Sequence, residues 1–478
     1  MILKDLSFAL RNLRRNKLLA AINVLGLSIG ISACLVIFLI VNYEMSFDHF
    51  QPDRDRIFRV YSSFSGLSAG DNSGVPTAFS VSMREQFTGI EALTNFHTFG
   101  AEVEIPEANG TKKKFGRHAR IIIADPEYFE VFSFYEWLSG NPRKALSEPF
   151  NVVLTESRAR TYFGDIDARA AIGKAIHYQD SLVLTVSGIV KDVPERTDFD
   201  FTDSISFSTI EKSWLKEQIS LNSWRSVNSS CQLFIKLAPG TPKAKIEQQL
   251  PSLASAYTAQ NKEADWSIKP GLQPLADVHF NSALRIFNHS RSVVEKSTLQ
   301  SLLGVAILLL IIAAINFINL ETAQGSRRAK EVGVRKLLGS SRPKLVRRFL
   351  SESLILCVVA ALFSLILAEF SLRYFSSFLP EGFKYNFADP TIILFVASVV
   401  AILTLLAGLY PAFVLSSYRP AQALKNLTHS NRAASRSAVI RKGLTVFQFS
   451  FSQILIIATI VIVGQVEFML DKDLGFNS

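Results

Sequence analysis

The chain has 478 residues, 48% of them hydrophobic, and a formal net charge of +10. Its mean hydropathy is positive, +0.23, which excludes an ordinary soluble globular protein. The charge pattern also excludes a nucleic-acid binder: residues 1–17, 321–348 and 416–443 hold 20 basic and 3 acidic residues, and the rest of the chain is net acidic. Basic segments that flank apolar runs mark loops kept on the cytoplasmic side of a membrane.

In chain order, Leu3, Leu6, Leu10 and Leu13 recur at helical spacing, with Lys4, Arg11, Arg14 and Arg15 on other faces. This predicts an amphipathic helix over 1–17 lying on the inner membrane surface. A first span follows at 18–41. Ile31-Ser32-Ala33-Cys34 has the look of a lipoprotein processing box, but the apolar run continues through Val41, longer than a cleaved signal's core. Gly26 and Gly30 form a GxxxG within this span, a pattern that permits close helix approach. Further spans are predicted at 298–320, 350–374, 391–415 and 444–468, each near the roughly 20 apolar residues that cross a bilayer. The basic segments then fall on alternate loops. This puts the N-terminus inside, residues 42–297 outside, 321–348 and 416–443 inside, 376–390 in a short outer loop, and 469–478 in an outer tail.

The 42–297 region reads as a mixed α/β domain, with a less regular stretch from about Ser206 to Ala276 expected as a second subdomain. Strands are predicted at 57–61, 119–124, 151–154, 182–190 and 231–237 from their β-branched content. Helices are predicted at 77–87, 126–132, 156–163 and 242–257. The last has Thr241 as N-cap, Pro242 at the first helical position, and a kink at Pro251. Cys34 and Cys357 lie in spans, so Cys231 stands alone in the outer domain and that domain must be held by its core. The fold class is therefore a multi-pass α-helical membrane protein with a large mixed α/β domain between its first two spans.

Chemistry-bearing motifs are sparse. Gly66-Leu67-Ser68-Ala69-Gly70 matches GxSxG, but Asp71-Asn72-Ser73-Gly74 follows where a nucleophile elbow needs a helix. The seven histidines show no metal-ligand spacing. Lys112-Lys113-Lys114 reads as a solvated hairpin turn. No GxxxxGK[ST] phosphate loop occurs, so any ATPase is expected on a separate subunit. The expectations are thus no catalytic residue, no cofactor and no metal.

The most specific stretch runs from Asn316-Phe317-Ile318-Asn319-Leu320 through Arg327-Arg328-Ala329-Lys330-Glu331-Val332-Gly333-Val334-Arg335-Lys336-Leu337-Leu338-Gly339 to Phe349-Leu350-Ser351-Glu352-Ser353. A second is Gly408-Leu409-Tyr410-Pro411-Ala412-Phe413. A third is Asp125-Pro126-Glu127-Tyr128-Phe129 with Tyr162-Phe163-Gly164 and Val186-Ser187-Gly188-Ile189-Val190. Together they resemble MacB/FtsX-like ABC transporter permeases of the macrolide-exporter type, over nearly the whole chain. The resemblance implies a coupling elbow carrying Arg327, Lys330, Glu331, Val334, Arg335, Lys336, Leu338 and Gly339, and a span-end motif of Gly408, Tyr410 and Pro411. In the elbow, Val332, Val334, Leu337 and Leu338 would fill a groove on the ATPase subunit while Arg335 and Lys336 pair with acids at its rim. The competing account of these charges is topology anchoring against anionic lipid. The implied partners are a separate ABC ATPase subunit, a second permease copy, the lipid bilayer and a periplasmic adaptor. The implied location is the bacterial inner membrane, and the implied work is export or mechanotransmission. Four spans with one outer domain complete a unit in this family. Arg441-Lys442-Gly443 and the fifth span look like the start of a second unit, as in eight-span members, so the chain reads as an incomplete or truncated one. The rival readings are a membrane-anchored sensor or scaffold, and an outer-domain hydrolase using Ser68.

Overall fold

The computed structural model describes residues 17–471 apart from 67–68, 108–109, 180, 194–195, 263–265, 286, 288–292, 324–331, 381 and 418–431. The amphipathic helix predicted ahead of Lys17, and Ser68, lie outside the described residues. The chain divides into two compact units, residues 43–299 and the remainder.

The 43–299 unit is built on one 11-stranded sheet. Its strands are β1 (Ile57–Ser65), β2 (Gly70–Asn72), β3 (Ile90–Pro106), β4 (Lys112–Ala124), β5 (Trp137–Gly140), β6 (Asn151–Thr155), β7 (Ala175–Tyr178), β8 (Leu182–Val190), β9 (Asp203–Ser206), β10 (Cys231–Leu237) and β11 (Ser267–Pro274). The main path is β11-β1-β10-β3-β4-β9-β6-β8-β5, with β2 beside β1 and β7 bridging β3 and β8. The β4–β9 and β6–β8 pairs are parallel and the other pairs antiparallel.

Burial explains why the central strands are apolar on both faces. In β10, Phe234 faces a phenylalanine-rich core while Leu233, Ile235 and Leu237 face another. In β4, Ile122 and Ala124 face the first core, and Ile121 and Ile123 face a third. A strand covered on both sides loses the polar–apolar alternation of a half-exposed one. In the first core Phe96 and Phe234 stack with ring centroids 5.8 Å apart, and Phe132 and Phe199 tilt together at 4.4 Å. Each such buried ring contributes roughly 1.5–3 kcal/mol over its exposed state.

The predicted strands and helices of this unit coincide with β1, β4, β6, β8, β10 and with helices Ala78–Gln86, Tyr128–Val131 and Glu156–Phe163. Three details differ. The Lys112–Lys114 run is not a turn but the opening of β4, where Lys112 and Lys114 reach Glu104 of β3 at 3.0 and 3.1 Å. A cross-strand carboxylate between two ammonium groups keeps the ladder going past a like-charge run. The 242–257 helix is two helices, Lys243–Glu247 and Leu250–Gln260, with Pro251 in the first turn of the second. The cap of the first is Pro242, in extended backbone, one residue later than expected. The 17-residue β3 carried too many polar positions to read as a strand: Glu91, Thr94, Asn95, His97, Thr98, Glu102 and Glu104 interrupt it.

Five long helices span Lys17–Met45, Lys296–Ala323, Arg342–Tyr374, Pro390–Ser417 and Arg432–Asp471 and make up the other unit, except that residues 43–45 of the first and 296–299 of the second belong to the 43–299 unit. Four contain stretches long and apolar enough to cross a membrane, and the fourth in chain order, Pro390–Ser417, is apolar over 390–406. The first four pack on one another through Leu27, Ile31, Ala313, Phe317, Cys357, Ala360, Val399 and Leu403. No residue of Lys442–Leu470 in the fifth is buried.

The glycines of the first span face the second. A Cβ on Gly30 would lie 2.6 Å from the Ala313 Cβ, and one on Gly26 would lie 3.2 Å from Asn316 Nδ2. Small residues let helix backbones approach where lipid supplies no hydrophobic drive between helices. Ser28 Oγ also donates to the Ala360 carbonyl at 3.1 Å, tying the first helix to the third. Gly30→Ala is expected to cost about 1–3 kcal/mol by overpacking. Adding Ala313→Gly should recover most of that loss in thermal unfolding of the detergent-solubilised chain, followed by helical circular dichroism. A double variant no more stable than Gly30→Ala would show that the contact is not limiting.

Candidate functional site

Within the basic loop between the second and third long helices, residues 332–337 form a short helix and the chain turns at Leu338 and Gly339. The turn is a Schellman closure. Ser340 N–H donates to the Arg335 carbonyl at 3.0 Å and Gly339 N–H to the Lys336 carbonyl at 3.1 Å. Gly339 has φ +87°, a left-handed conformation open to glycine at no steric cost. Ser341, in extended backbone, then starts the third long helix, with Pro343 in its first turn. The elbow is thus a helix, a closed turn and a helix, with its direction set by backbone hydrogen bonds.

Val332 is buried within the chain, so it is not available to an outside groove, contrary to the expectation from sequence. Val334, Leu337 and Leu338 are exposed at 46%, 64% and 81%. An apolar row in contact with water on a basic elbow is a surface that association would cover. Arg327, Lys330 and Glu331 lie outside the described residues.

Two sequence motifs about 55 residues apart meet beside the elbow. A Cβ on Gly408 would lie 3.0 Å from both Ser353 Oγ and Leu350 Cδ2, so the span-end motif packs against the Phe349–Ser353 segment. Arg348 pairs with Glu352 one turn along the third helix, at 3.6 Å. Arg342 lies over the Phe413 ring, 5.9 Å from its centroid. Of Tyr410 and Pro411 the structure gives the helical backbone only.

Sequence reasoning missed one polar contact here. Asn23 Nδ2 donates to Glu321 Oε1 at 3.2 Å, both side chains buried, joining the first helix to the second. An ionisable side chain at the end of an apolar run is costly to bury and so signals a specific role. The pattern Asn316, Asn319, Glu321 at the close of the second span was the available clue.

The outer-domain motif has a structural job. Asp125 is buried and accepts from Thr94 Oγ1 at 2.6 Å, Asn95 N–H at 3.0 Å and Arg84 at 2.8 Å, pinning helix Ala78–Gln86 to β3. Burial pushes its pKa up to about 7 against the pull of Thr94 and Arg84. It lines a groove of about 350 Å³ with Thr77, Ser80, Phe207 and Leu221. The histidine scan by spacing also missed His279, whose two partners lie 81 and 235 residues away in sequence. Among the described residues, no group of three or more His, Cys, Asp or Glu is arranged to hold a metal ion.

A bundle of apolar helices with a large α/β insertion and a helix–turn–helix elbow defines a multi-pass membrane protein with a periplasmic-type domain. Residues 20–253 match the family model of the MacB-like periplasmic core domain, and residues 303–420 that of the FtsX-like permease C-terminal. The chain belongs to the MacB/FtsX-like permease family. Membership supports an ABC transporter permease subunit and an inner-membrane protein with a periplasmic domain.

The chain is similar to the macrolide export ATP-binding/permease protein MacB of Agrobacterium fabrum, 29% identical over 137 residues, covering 28% of this chain and 21% of that protein. It is similar to MacB of Campylobacter jejuni at 30% over 73 residues (15% and 11%), and to MacB of Chromobacterium violaceum at 28% over 120 residues (25% and 18%). The chain thus spans about a fifth or less of the length of these curated relatives. Among solved structures, the periplasmic region of MacB from Actinobacillus actinomycetemcomitans aligns with TM-score 0.30 at 13% identity, over 46% of this chain and 89% of that one.

Proposed function

We propose that this chain is a permease subunit whose elbow docks a separate ABC ATPase subunit, and whose outer domain is moved by that ATPase. ATP is bound and hydrolysed on the partner, and this chain itself is no enzyme. The elbow and the N-terminus face the cytoplasm, residues 42–297 face the periplasm, and two copies of the span bundle work together. The relatives are named for macrolide export, which makes efflux one form of the output; force applied to a periplasmic adaptor is the other.

One observation carries the reading: Val334 and Leu337 on the short helix and Leu338 in the turn stand exposed on an elbow whose path is closed by backbone hydrogen bonds. Exposed apolar side chains on a preformed scaffold lose little conformational entropy on binding, which favours a protein partner over lipid contact by charge alone. The basic neighbours Arg335 and Lys336 supply complementarity to an acidic rim.

The test is co-purification of the membrane-extracted chain, wild type against Arg335→Glu/Lys336→Glu, with the captured proteins identified. Wild type should retain an ABC ATPase, and the double variant should lose at least about ten-fold of it. If wild type captures none, the chain acts as a membrane-anchored scaffold. If the double variant captures as much as wild type, the elbow is not the coupling site.

A further inference from the structure

Both ends of the periplasmic-type unit close on one short segment. Glu44 sits in the last turn of helix Lys17–Met45, and its Oε2 lies 2.7 Å from His279 Nε2. The other ring nitrogen, Nδ1, lies 3.0 Å from Asp198 Oδ2. Phe47 stacks on the imidazole with centroids 3.7 Å apart. Glu44, Asp198 and His279 are 3%, 2% and 4% exposed. His279 follows directly on helix Leu275–Val278. From the other end, Lys296, the first residue of helix Lys296–Ala323, pairs with Asp277 of that same turn and lies 5.1 Å over the Phe280 ring.

The segment is in turn bound to the sheet. Gln273 of β11 donates from Nε2 to the Asp277 carbonyl at 2.9 Å, and its Oε1 accepts from Arg59 Nε of β1 at 2.8 Å. Arg59 is fully buried and also donates to the Arg285 carbonyl at 3.2 Å. Alongside, Asp48 bonds Thr197, the Asp48 N–H donates to the Arg196 carbonyl at 3.0 Å, and Arg196 Nη1 donates to Ser46 Oγ at 3.1 Å.

Packing alone would be served as well by apolar side chains, since buried ion pairs seldom gain stability over them. What two carboxylates on one imidazole add is direction: the hydrogen bonds fix the helix end in orientation as well as in place. We propose that residues 275–280 act as a yoke. Through His279 with Glu44 and Asp198, and through Asp277 with Lys296, these positioning residues make the ends of the first two long helices move the outer sheet as one body. This inference rests on the proposed ATP-driven movement of the outer domain.

The experiment uses the full chain with its ATPase subunit in lipid nanodiscs. Spin labels are placed at Val183→Cys in the outer domain and Leu394→Cys on the fourth long helix, both exposed, while the three native cysteines are buried. Wild type should show an ATP-dependent change in label distance. His279→Gln and Glu44→Gln should each cut that change by about half or more while ATP hydrolysis stays within about two-fold. Hydrogen exchange at 43–50 and 275–283 should rise about ten-fold with β3 unchanged. A merely stabilising cluster would not separate hydrolysis from movement. A full distance change together with unaltered exchange in both variants overturns the yoke. If wild type itself shows no ATP-dependent change, the proposed coupling fails and takes the yoke with it; faster exchange at 43–50 in the variants then marks the cluster as stabilising only.

Discussion

Replacing Asp203 by alanine is expected to destabilise the outer domain by about 3–5 kcal/mol, the cost of stranding a buried charge and its partners. Asp203 is fully buried on β9. Its Oδ2 accepts from Tyr162 at 2.9 Å and from Tyr178 at 2.7 Å, and its Oδ1 accepts from Thr202 at 2.7 Å. Arg158 Nε lies 3.1 Å from Oδ1, with its side chain 13% exposed. One carboxylate therefore holds helix Glu156–Phe163 and β7 against β9. Alanine leaves two phenol hydroxyls without their acceptor and Arg158, which keeps its hydrogen bonds to Thr202 Oγ1, without its carboxylate, and removing one partner costs far more than the pair is worth in net terms. Asp203→Asn keeps an acceptor and should cost less than half as much. All four tryptophans of the chain, Trp137, Trp214, Trp224 and Trp266, lie in the 43–299 unit. Urea unfolding of the full chain in mild detergent, read by tryptophan fluorescence, therefore reports this domain. A loss under about 1 kcal/mol for Asp203→Ala would refute the account.

The second large effect is pH dependence through His279. Burial alone would lower its pKa, but the hydrogen bonds and charges of Asp198 and Glu44 raise it from the ordinary 6.5 to about 9. The folded state thus holds the proton more tightly than the unfolded chain. Its contribution is fully present below about pH 6.5, shrinks as pH rises, and is gone above about pH 9. Each tenfold gain in proton affinity on folding is worth about 1.4 kcal/mol, so the full contribution is about 3 kcal/mol. The stability gap between wild type and His279→Gln should therefore be large at pH 6 and narrow by about that amount at pH 9.5. Neighbouring Asp48, pushed up to about 7 by burial and by Asp198, also feels the His279 charge, so the gap reports the cluster as a whole. A gap that is constant with pH would mean that folding leaves the proton affinity of the imidazole unchanged.

Much of this protein was legible because its strongest signals are local. Apolar runs, the alternation of basic loops, β-branched strands and the motif residues around 327–353 and 408–413 each depend on neighbours within a few turns of chain. The GxxxG at Gly26 and Gly30 was readable as a contact surface, but its partner was not: nothing in sequence points from Gly30 to Ala313. β3 escaped because its polar residues find partners on neighbouring elements, as Glu104 does with Lys112 and Lys114 of β4, Thr94 with Asp125 just past β4, and Asn95 with Ser80 on helix Ala78–Gln86. A strand stabilised by long-range hydrogen bonds carries no periodic apolar signature of its own.

The amino-acid sequence by itself determined the family and fold class of the molecule and the order of its apolar runs, and it raised the elbow as the place to look for a partner. Hydrophobicity, charge and chain stiffness act over short distances and leave their record in composition. Only the tertiary structure decided that Val332 is spent inside the chain while Val334, Leu337 and Leu338 are left exposed, that Gly408 meets Ser353, and that His279 bridges Glu44 and Asp198. Each of these depends on residues from remote parts of the chain meeting in a dry interior. There, desolvation makes partner and geometry decisive, and separation along the sequence carries no information about either.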